Sequence, residues 1–310
     1  MSDGRPVVAL SGATALGKSQ VALALAERLA ADIVVADSMQ VYAGLPILTN
    51  QPGPAELARA RHHLVGVVQP QLDFSVATYA CMAHRVIDGL LEERTPVIVE
   101  GGSGLYLRAA LGDLGFAAPP DPALRAGFEE RWARDPDAVV AELLAADPDL
   151  VATLDIANPR RVLRALEASR SGHASPQRGQ LWRPAERYPH LVVALMPDDD
   201  RDALKARIDE RVDDMLAAGA LDEVAAARAA GPFSSTAAQA IGVRELEAVL
   251  DGASTLGEAA ARMKSRTRAL ARRQLTWLRK LPRAVRVPAA GRPPETVAAE
   301  VLTLVQAQEW

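Results

Sequence analysis

A chain of 310 residues with 49% hydrophobic residues has the core-forming capacity for one large folded unit or two smaller ones. Its formal net charge of −4 excludes a molecule that is basic overall, so any nucleic-acid contact must be local. A single cysteine, Cys81, excludes an internal disulfide, no apolar run approaches the ~18 residues of a bilayer span, and the opening MSDGRPVVAL lacks a signal-peptide pattern; a cytoplasmic protein without a membrane segment is expected.

The first predicted element is PVVALSG (6–12), a short apolar run ending in glycine that reads as a buried strand. A glycine-containing loop follows, and then KSQVALALAERLA (18–30), which has helical periodicity. DIVVADS (32–38), TPVIVEGGSG (95–104) and HLVVALMP (190–197) predict further buried strands, and AVRVP (284–288) a late one. Strands alternating with helices predict an α/β fold: a P-loop NTPase-like parallel sheet covered on both faces, with ligand-binding loops at the carboxyl ends of the strands. Residues 117–187 show helical pieces, prolines and few strand signals, which predicts a helical insertion domain in a core made of 1–116 and 188–310. Further helices are expected over 201–218, 221–230, 237–250 and 256–280.

Gly12, Ala13, Thr14, Ala15, Leu16, Gly17, Lys18 and Ser19 fit the pattern G-x-x-x-x-G-K-[ST] between the first strand and the first helix. Backbone N–H groups in such a loop, together with the helix N-terminus, point at phosphate oxygens. Lys18 then neutralises terminal phosphate charge, Ser19 reaches a bound Mg²⁺, and the Thr14 hydroxyl is a further donor. The pattern predicts a di- or triphosphate site and leaves the reaction open.

Asp37 follows the second strand run beside this loop. It suits either a base or water-mediated Mg²⁺ ligand, or a turn cap, since Asp-Ser serves both. VEGGSGLYLRAAL (99–111) repeats the strand-to-glycine theme. Its paired glycines allow close approach of backbone to a ligand, and Ser103 is either a polar contact or a helix cap. His62 and His63 have no cysteine or acid at ligand spacing, so a structural role is expected. Arg262, Lys264, Arg266, Arg268, Arg272, Arg273, Arg279, Lys280 and Arg283 fall in one stretch without an acid. Lys264, Arg268 and Arg272 recur every four residues, a row of positive charge on one helix face that a polyanion would relieve. Arg160, Arg161, Arg164, Arg170 and Arg178 form a second cluster. Trp277, spaced with Leu275 and Leu278, reads as core.

Several segments taken in order resemble the tRNA dimethylallyltransferases, also called tRNA isopentenyltransferases: GATALGKS, DSMQVYAGLPI, HHL with FSVATYA, GGSGLYLRAAL, NPRRVLRALE, RIDERVDDMLAAGALDEV, QAIGVREL and TRALARRQLTWLRK. The resemblance spans about residues 7 to 281. This chain departs from the family pattern at Ala13 and Leu16, at Val243-Arg244, and at Leu48-Thr49-Asn50-Gln51, where the usual Gly-Thr-Ala-Lys keeps only Thr49. The resemblance implies transfer of a dimethylallyl group from dimethylallyl diphosphate to N6 of the adenosine 3′-adjacent to the anticodon of tRNA, with Mg²⁺. It implies Asp37 as the base, with Lys18 and Thr14 assisting departure of the diphosphate. Asp37, Ser38, Met39 and Gln40 then line the entry of a flipped base. Ser103, Arg125 and the run Arg160, Arg161, Val162, Leu163 and Arg164 are the matched tRNA-contact positions. A monomer without membrane attachment is expected. The competing readings are a small-molecule kinase using ATP at the same loop, with arginines of 160–187 as its lid, a free-nucleotide isopentenyltransferase, and a non-enzymatic RNA-binding protein.

Overall fold

The computed structural model describes residues 7–114, 122–170, 185–197, 201–281 and 283–308. The chain divides into two compact units, Met1–Leu111 with Glu186–Trp310, and Gly112–Ala185.

The larger unit is built on a six-stranded sheet. Its strands are β1 (Val7–Gly12), β2 (Asp32–Val35), β3 (His62–His63), β4 (Val97–Gly101), β5 (His190–Met196) and β6 (Val285–Pro288). They lie in the order β3-β2-β4-β1-β5-β6, and each neighbouring pair is parallel. All six residues of β1 are buried, as an apolar strand at the centre of a doubly covered sheet requires. On one face Val8, Leu10, Ile33, Val35 and Ile98 meet Val21 and Leu25 of α1 (Lys18–Leu29) and Val297 and Val301 of a C-terminal helix, Pro294–Gln306. The alternation of strand side chains sends Val7, Ala9 and Val99 to the other face, where α2 (Val76–Glu92) and α3 (Gly104–Leu111) pack on the sheet.

The sheet differs from the expected one at two places. β2 ends at Val35, which leaves Asp37 in the loop beyond it. His62–His63 forms an edge strand paired with Ile33 and Val34. His63 Nε2 lies 2.7 Å from Asp32 Oδ2, and His62 Nδ1 lies 2.9 Å from the Ala60 carbonyl, so the pair ties the edge to its neighbour.

After β5 the helices are α4 (Arg201–Ala217), α5 (Ala220–Ala229), α6 (Val243–Leu250) and α7 (Leu256–Leu278). The single helix expected over 237–250 is broken. A 3₁₀ turn at Ala237–Gln239 stops before Gly242, whose φ of 109° no helix accommodates, and α6 starts anew there. α7 begins with a capping box between Thr255 and Glu258.

The smaller unit is helical: Pro122–Arg134, Pro136–Ala146, Pro148–Thr153 and Pro159–Arg170. Asp135 and Asp147 cap the second and third of these, accepting from the backbone N–H of Ala138 and Leu150. Phe128, Val139, Leu143, Val162, Leu163 and Leu166 form its core.

Candidate functional site

The loop from Gly12 to Ser19 turns out of β1 into α1 through two left-handed residues, Ala15 (φ 62°) and Gly17 (φ 73°). A left-handed alanine costs roughly 1–2 kcal/mol, and the geometry it secures turns successive N–H groups toward one side, the concavity that binds anions. Ala13 and Leu16 are buried and pack against Ile208 of α4 and Ala271 of α7. Their side chains anchor the loop, so the departures from the family pattern at these two positions fall on its packing face.

Lys18 forms an ion pair with Glu100, the penultimate residue of β4. Ser19 Oγ donates to the same carboxylate oxygen at 3.0 Å. Glu100 is only 3% exposed, and the two bonds together explain how a buried charge is tolerated there. Sequence reasoning passed over Glu100. The available signal was an acid ending an otherwise apolar run, VIVEG, one strand away from a phosphate loop.

Asp37 is both cap and free acceptor. Its Oδ1 accepts from the backbone N–H of Met39 at 2.8 Å and of Gln40 at 3.4 Å, while no hydrogen bond engages Oδ2 among the described residues. The two readings of Asp37 therefore coexist, one on each oxygen. Tyr79 and Tyr106 pack 4.7 Å apart between ring centroids beneath it. Burial raises both phenols well above their ordinary range, and the neighbouring Asp37 charge adds to this, so both stay neutral.

A cavity of about 670 Å³ brings the phosphate loop and Asp37 together. Its wall includes the whole loop from Gly12 to Ser19, then Asp37, Ser38, Met39 and Gln40, and Ser103. Arg211 of α4 also faces it. Burial depresses the Arg211 guanidinium, and Asp37 and Glu100 are the charges that oppose this. Arg211 is a second site residue that sequence reasoning missed, because an arginine in RIDERVDD reads as an ordinary helix-face charge. The rest of the wall combines apolar side chains, Leu48, Val212, Met215, Ile241, Met263 and Leu270, with polar and charged ones, among them Glu56, Arg266, Arg273 and Gln274.

The paired glycines serve the protein's own packing. A side chain at Gly101 would collide with Ala36, and one at Gly102 would meet the Gln274 carboxamide. Gln51 turns inward, donating to the Tyr42 carbonyl at 2.7 Å and to Thr49 Oγ1 at 3.0 Å, while Asn50 beside it lines the cavity.

The remaining matched positions lie in the helical unit. Val162 and Leu163 are buried in its core, so their side chains fix the helix that carries Arg160, Arg161 and Arg164. Arg125 and Arg164 lie 3.2 Å and 3.4 Å from buried Glu167, and Arg161 lies 3.7 Å from Asp155. Arg178 falls outside the described residues.

The row of positive charge on α7 is partly answered from within. Lys264 pairs with Asp213 at 2.7 Å and Arg268 with Asp209 at 3.3 Å, so acids four residues apart on α4 meet cations four residues apart on α7. Arg266 pairs with Glu245. The free polyanion-binding row inferred from spacing is thus reduced at its N-terminal part. Arg272, Arg273, Arg279 and Lys280 remain exposed. Trp277 is packed, with the Arg108 guanidinium 5.2 Å from its ring centre.

Comparison with known proteins gives this arrangement its place. Residues 40–281 match the family model described as IPP transferase. The chain belongs to the IPP transferase family. The tRNA dimethylallyltransferase of Bordetella petrii is 41% identical over 290 residues, covering 91% of this chain and 92% of that one. Among solved structures, the full-length tRNA isopentenylpyrophosphate transferase of Bacillus halodurans superposes with a TM-score of 0.70 at 30% identity, over 97% of this chain and 96% of that one. A eukaryotic dimethylallyltransferase acting on tRNA superposes with a TM-score of 0.77 at 25% identity, over 93% of this chain and 75% of that one. The P-loop-like parallel-sheet architecture is thus common to IPP transferases, and the kinase reading loses its basis.

Proposed function

We propose that this chain is a tRNA dimethylallyltransferase that moves a dimethylallyl group from dimethylallyl diphosphate to N6 of the adenosine 3′-adjacent to the tRNA anticodon. The observation that carries the reading is the composition of one cavity wall: a phosphate-binding loop, an acid with a free oxygen, and an apolar surface of Leu48, Met215, Ile241, Met263 and Leu270. A prenyl diphosphate needs an anion cradle and an oily wall together. The names of the family relatives agree with it.

The chemistry follows from these groups. The adenine N6 lone pair is delocalised into the ring, so the amine attacks only as its proton is taken. As the N6–C1 bond forms and the C1–O bond breaks, the diphosphate leaves with the C–O electron pair, and Asp37 Oδ2 accepts the N6 proton. The loop N–H groups, the Thr14 hydroxyl, Lys18 and Arg211 stabilise the charge that grows on the departing diphosphate. The positive charge developing on the allylic carbon makes that stabilisation act directly on the barrier. The base reaches the cavity only out of its stack, which costs a few kcal/mol. Ser38, Met39, Gln40 and Ser103 line its path.

The donor set suits Mg²⁺. Ser19 and Glu100 offer adjacent hard oxygens next to the phosphate loop, and Mg²⁺ is commonly held by one or two carboxylates plus substrate phosphates. There it would screen charge on the diphosphate. Among the described residues no cluster of three or more His, Cys, Asp or Glu groups offers an all-protein metal cage.

The helical unit and the exposed cations of α7 supply phosphate contacts to tRNA in this reading. The phosphate loop, Asp37, Glu100 and Arg211 all lie in the larger unit. Among the described residues no helix is long and apolar enough to cross a membrane, and a tRNA substrate is met in the cytoplasm. Incubating the protein with dimethylallyl diphosphate, Mg²⁺ and bulk tRNA, then weighing the nucleosides by mass spectrometry, tests the whole reading. N6-dimethylallyladenosine at the anticodon-adjacent position is expected. Its absence, or formation on free AMP in preference to tRNA, overturns it.

A further inference from the structure

We infer that Gln274 is a positioning residue that latches the phosphate loop to the loop after β4, fixing where the diphosphate sits relative to Asp37. The inference deepens the prenyl-transfer reading and rests on it for its kinetic test.

Gln274 projects from α7 between the two loops. Its Oε1 accepts the backbone N–H of Thr14 at 2.9 Å, and its Nε2 donates to the carbonyl of Gly102 at 3.1 Å. One end must accept and the other must donate, and only a carboxamide of this length does both. A glutamate would set an acceptor against the Gly102 carbonyl, and a lysine would leave Thr14 N–H without a partner.

Three further observations show that the contact is built. A Cβ at Gly102 would lie 2.5 Å from Gln274 Nε2, so glycine keeps the space the carboxamide fills. One turn on, Trp277 packs against Gly104, where a side chain would collide with the indole ring, so α7 is seated on the same loop by a second residue. Ala271, one turn back, packs with Ala13 and Leu16 of the phosphate loop. Gln274 thus occupies the middle of a seam whose two sides are the diphosphate cradle and the Ser103 loop.

The consequence concerns which donors remain for the anion. Thr14 N–H is taken by Gln274, so the N–H groups from Ala15 to Ser19 form the cradle, together with Lys18 Nζ. Without the latch, Thr14 N–H loses its partner and the loop can rotate about Ala15, whose left-handed conformation is costly to hold. The diphosphate would then bind less tightly and at a variable distance from Asp37.

The test is a double-mutant cycle with Gln274→Met, Gln274→Ala and Gly102→Ala. Methionine keeps the volume and loses both hydrogen bonds, so a folded variant is available even where alanine leaves a void. Gly102→Ala breaks the latch from the other side by displacing the carboxamide. Each single variant is expected to lower kcat/KM for dimethylallyl diphosphate about tenfold or more, with KM for tRNA within about twofold of the parent. The Gly102→Ala/Gln274→Ala double variant should be no worse than the poorer single, because both remove one interaction. Calorimetric titration with inorganic pyrophosphate should show the same pattern. A multiplicative loss in the double variant, or an effect on tRNA KM alone, overturns the latch. If the parent protein transfers no prenyl group, the prenyl-transfer reading fails, and the pyrophosphate titrations still decide the latch.

Discussion

Ser19 Oγ and Lys18 Nζ converge on one oxygen of Glu100, and the 3.0 Å bond from Ser19 ties the start of α1 to the end of β4 across the strand boundary. The charge of a buried acid placed there is answered by those partners, or by a cation that replaces one of them. Glu100→Gln keeps the shape and removes the charge. We expect kcat to fall on the order of a hundredfold or more, because Lys18 and a bound Mg²⁺, which stabilise the developing anion, both lose the carboxylate that positions them. The Mg²⁺ concentration for half-maximal rate should rise as well. A variant with parental turnover and an unchanged Mg²⁺ titration would show that Glu100 serves the fold alone.

Lys18→Ala is expected to lose on the order of a hundredfold in rate for the same reason. It also leaves Glu100 buried without its ion-pair partner, which lowers stability independently. Comparing Lys18→Ala with the Lys18→Ala/Glu100→Gln double variant separates the effects: the thermal midpoint should recover in the double variant while the rate does not. Recovery of both would place the role of Lys18 in stability.

Asp37 allows its two tasks to be separated with one substitution. Asn caps turns as well as Asp does, so Asp37→Asn preserves the Oδ1 acceptor that holds Met39 and Gln40. It removes the proton-accepting charge of Oδ2. The expected result is an unchanged melting temperature and tRNA affinity with turnover lowered at least about a hundredfold. Retained turnover in this variant would assign the base to another group.

Much of this was legible in the sequence, and what was not has identifiable causes. The apolar runs before Gly12, Asp37 and Gly101 announced buried strands, because parallel strands covered on both faces lose the alternation that half-exposed strands show. The phosphate loop was legible because its glycines and Lys-Ser have fixed offsets. His62–His63 escaped because two residues carry no period. Gly242 escaped because a glycine inside a helical pattern is tolerated often enough to read through it. Glu100 and Arg211 escaped because their significance lies in what faces them across the sheet. The pairing of Lys264 and Arg268 within the row on α7 was hidden for the same reason. The row's repeat is plain, but the matching repeat Asp209, Asp213 sits on α4, over fifty residues earlier in the chain.

The helical unit should carry its own pH dependence. Hydrogen bonds from Arg131 and then Arg170 hold the Glu142 carboxyl below its ordinary 4.5, against the partial burial that opposes them. A carboxylate with a lowered folded-state value stabilises fully above about 4.5 and loses that contribution as pH falls through its folded-state value. Amide hydrogen exchange in Pro136–Ala146 and Pro159–Arg170 should therefore accelerate on acidification below 4.5, corrected for intrinsic exchange, and the acceleration should be smaller in Glu142→Gln. Equal acceleration in both proteins would mean that the Arg131–Glu142–Arg170 cluster contributes nothing to this unit.

The cations of α7 and of the turn just after it divide into two groups with different expected phenotypes. Lys264 and Arg268 already have acidic partners, so binding a polyanion there would trade one ion pair for another. Arg272, Arg279 and Lys280 are exposed without such partners among the described residues, and phosphate contacts from them displace only counterions. Counterion release makes affinity fall with salt at roughly 0.7–0.9 decades per decade for each contact. The triple variant Arg272→Gln/Arg279→Gln/Lys280→Gln should thus weaken tRNA binding at low salt and flatten the plot of log affinity against log salt by about 2. Lys264→Gln/Arg268→Gln should leave that slope unchanged and lower the melting temperature, since these half-buried ion pairs join α4 to α7. Filter binding across a salt series distinguishes them. If the paired residues govern the slope and the exposed ones do not, the Asp209 and Asp213 contacts open on tRNA binding, and the division drawn from the free protein does not describe the complex.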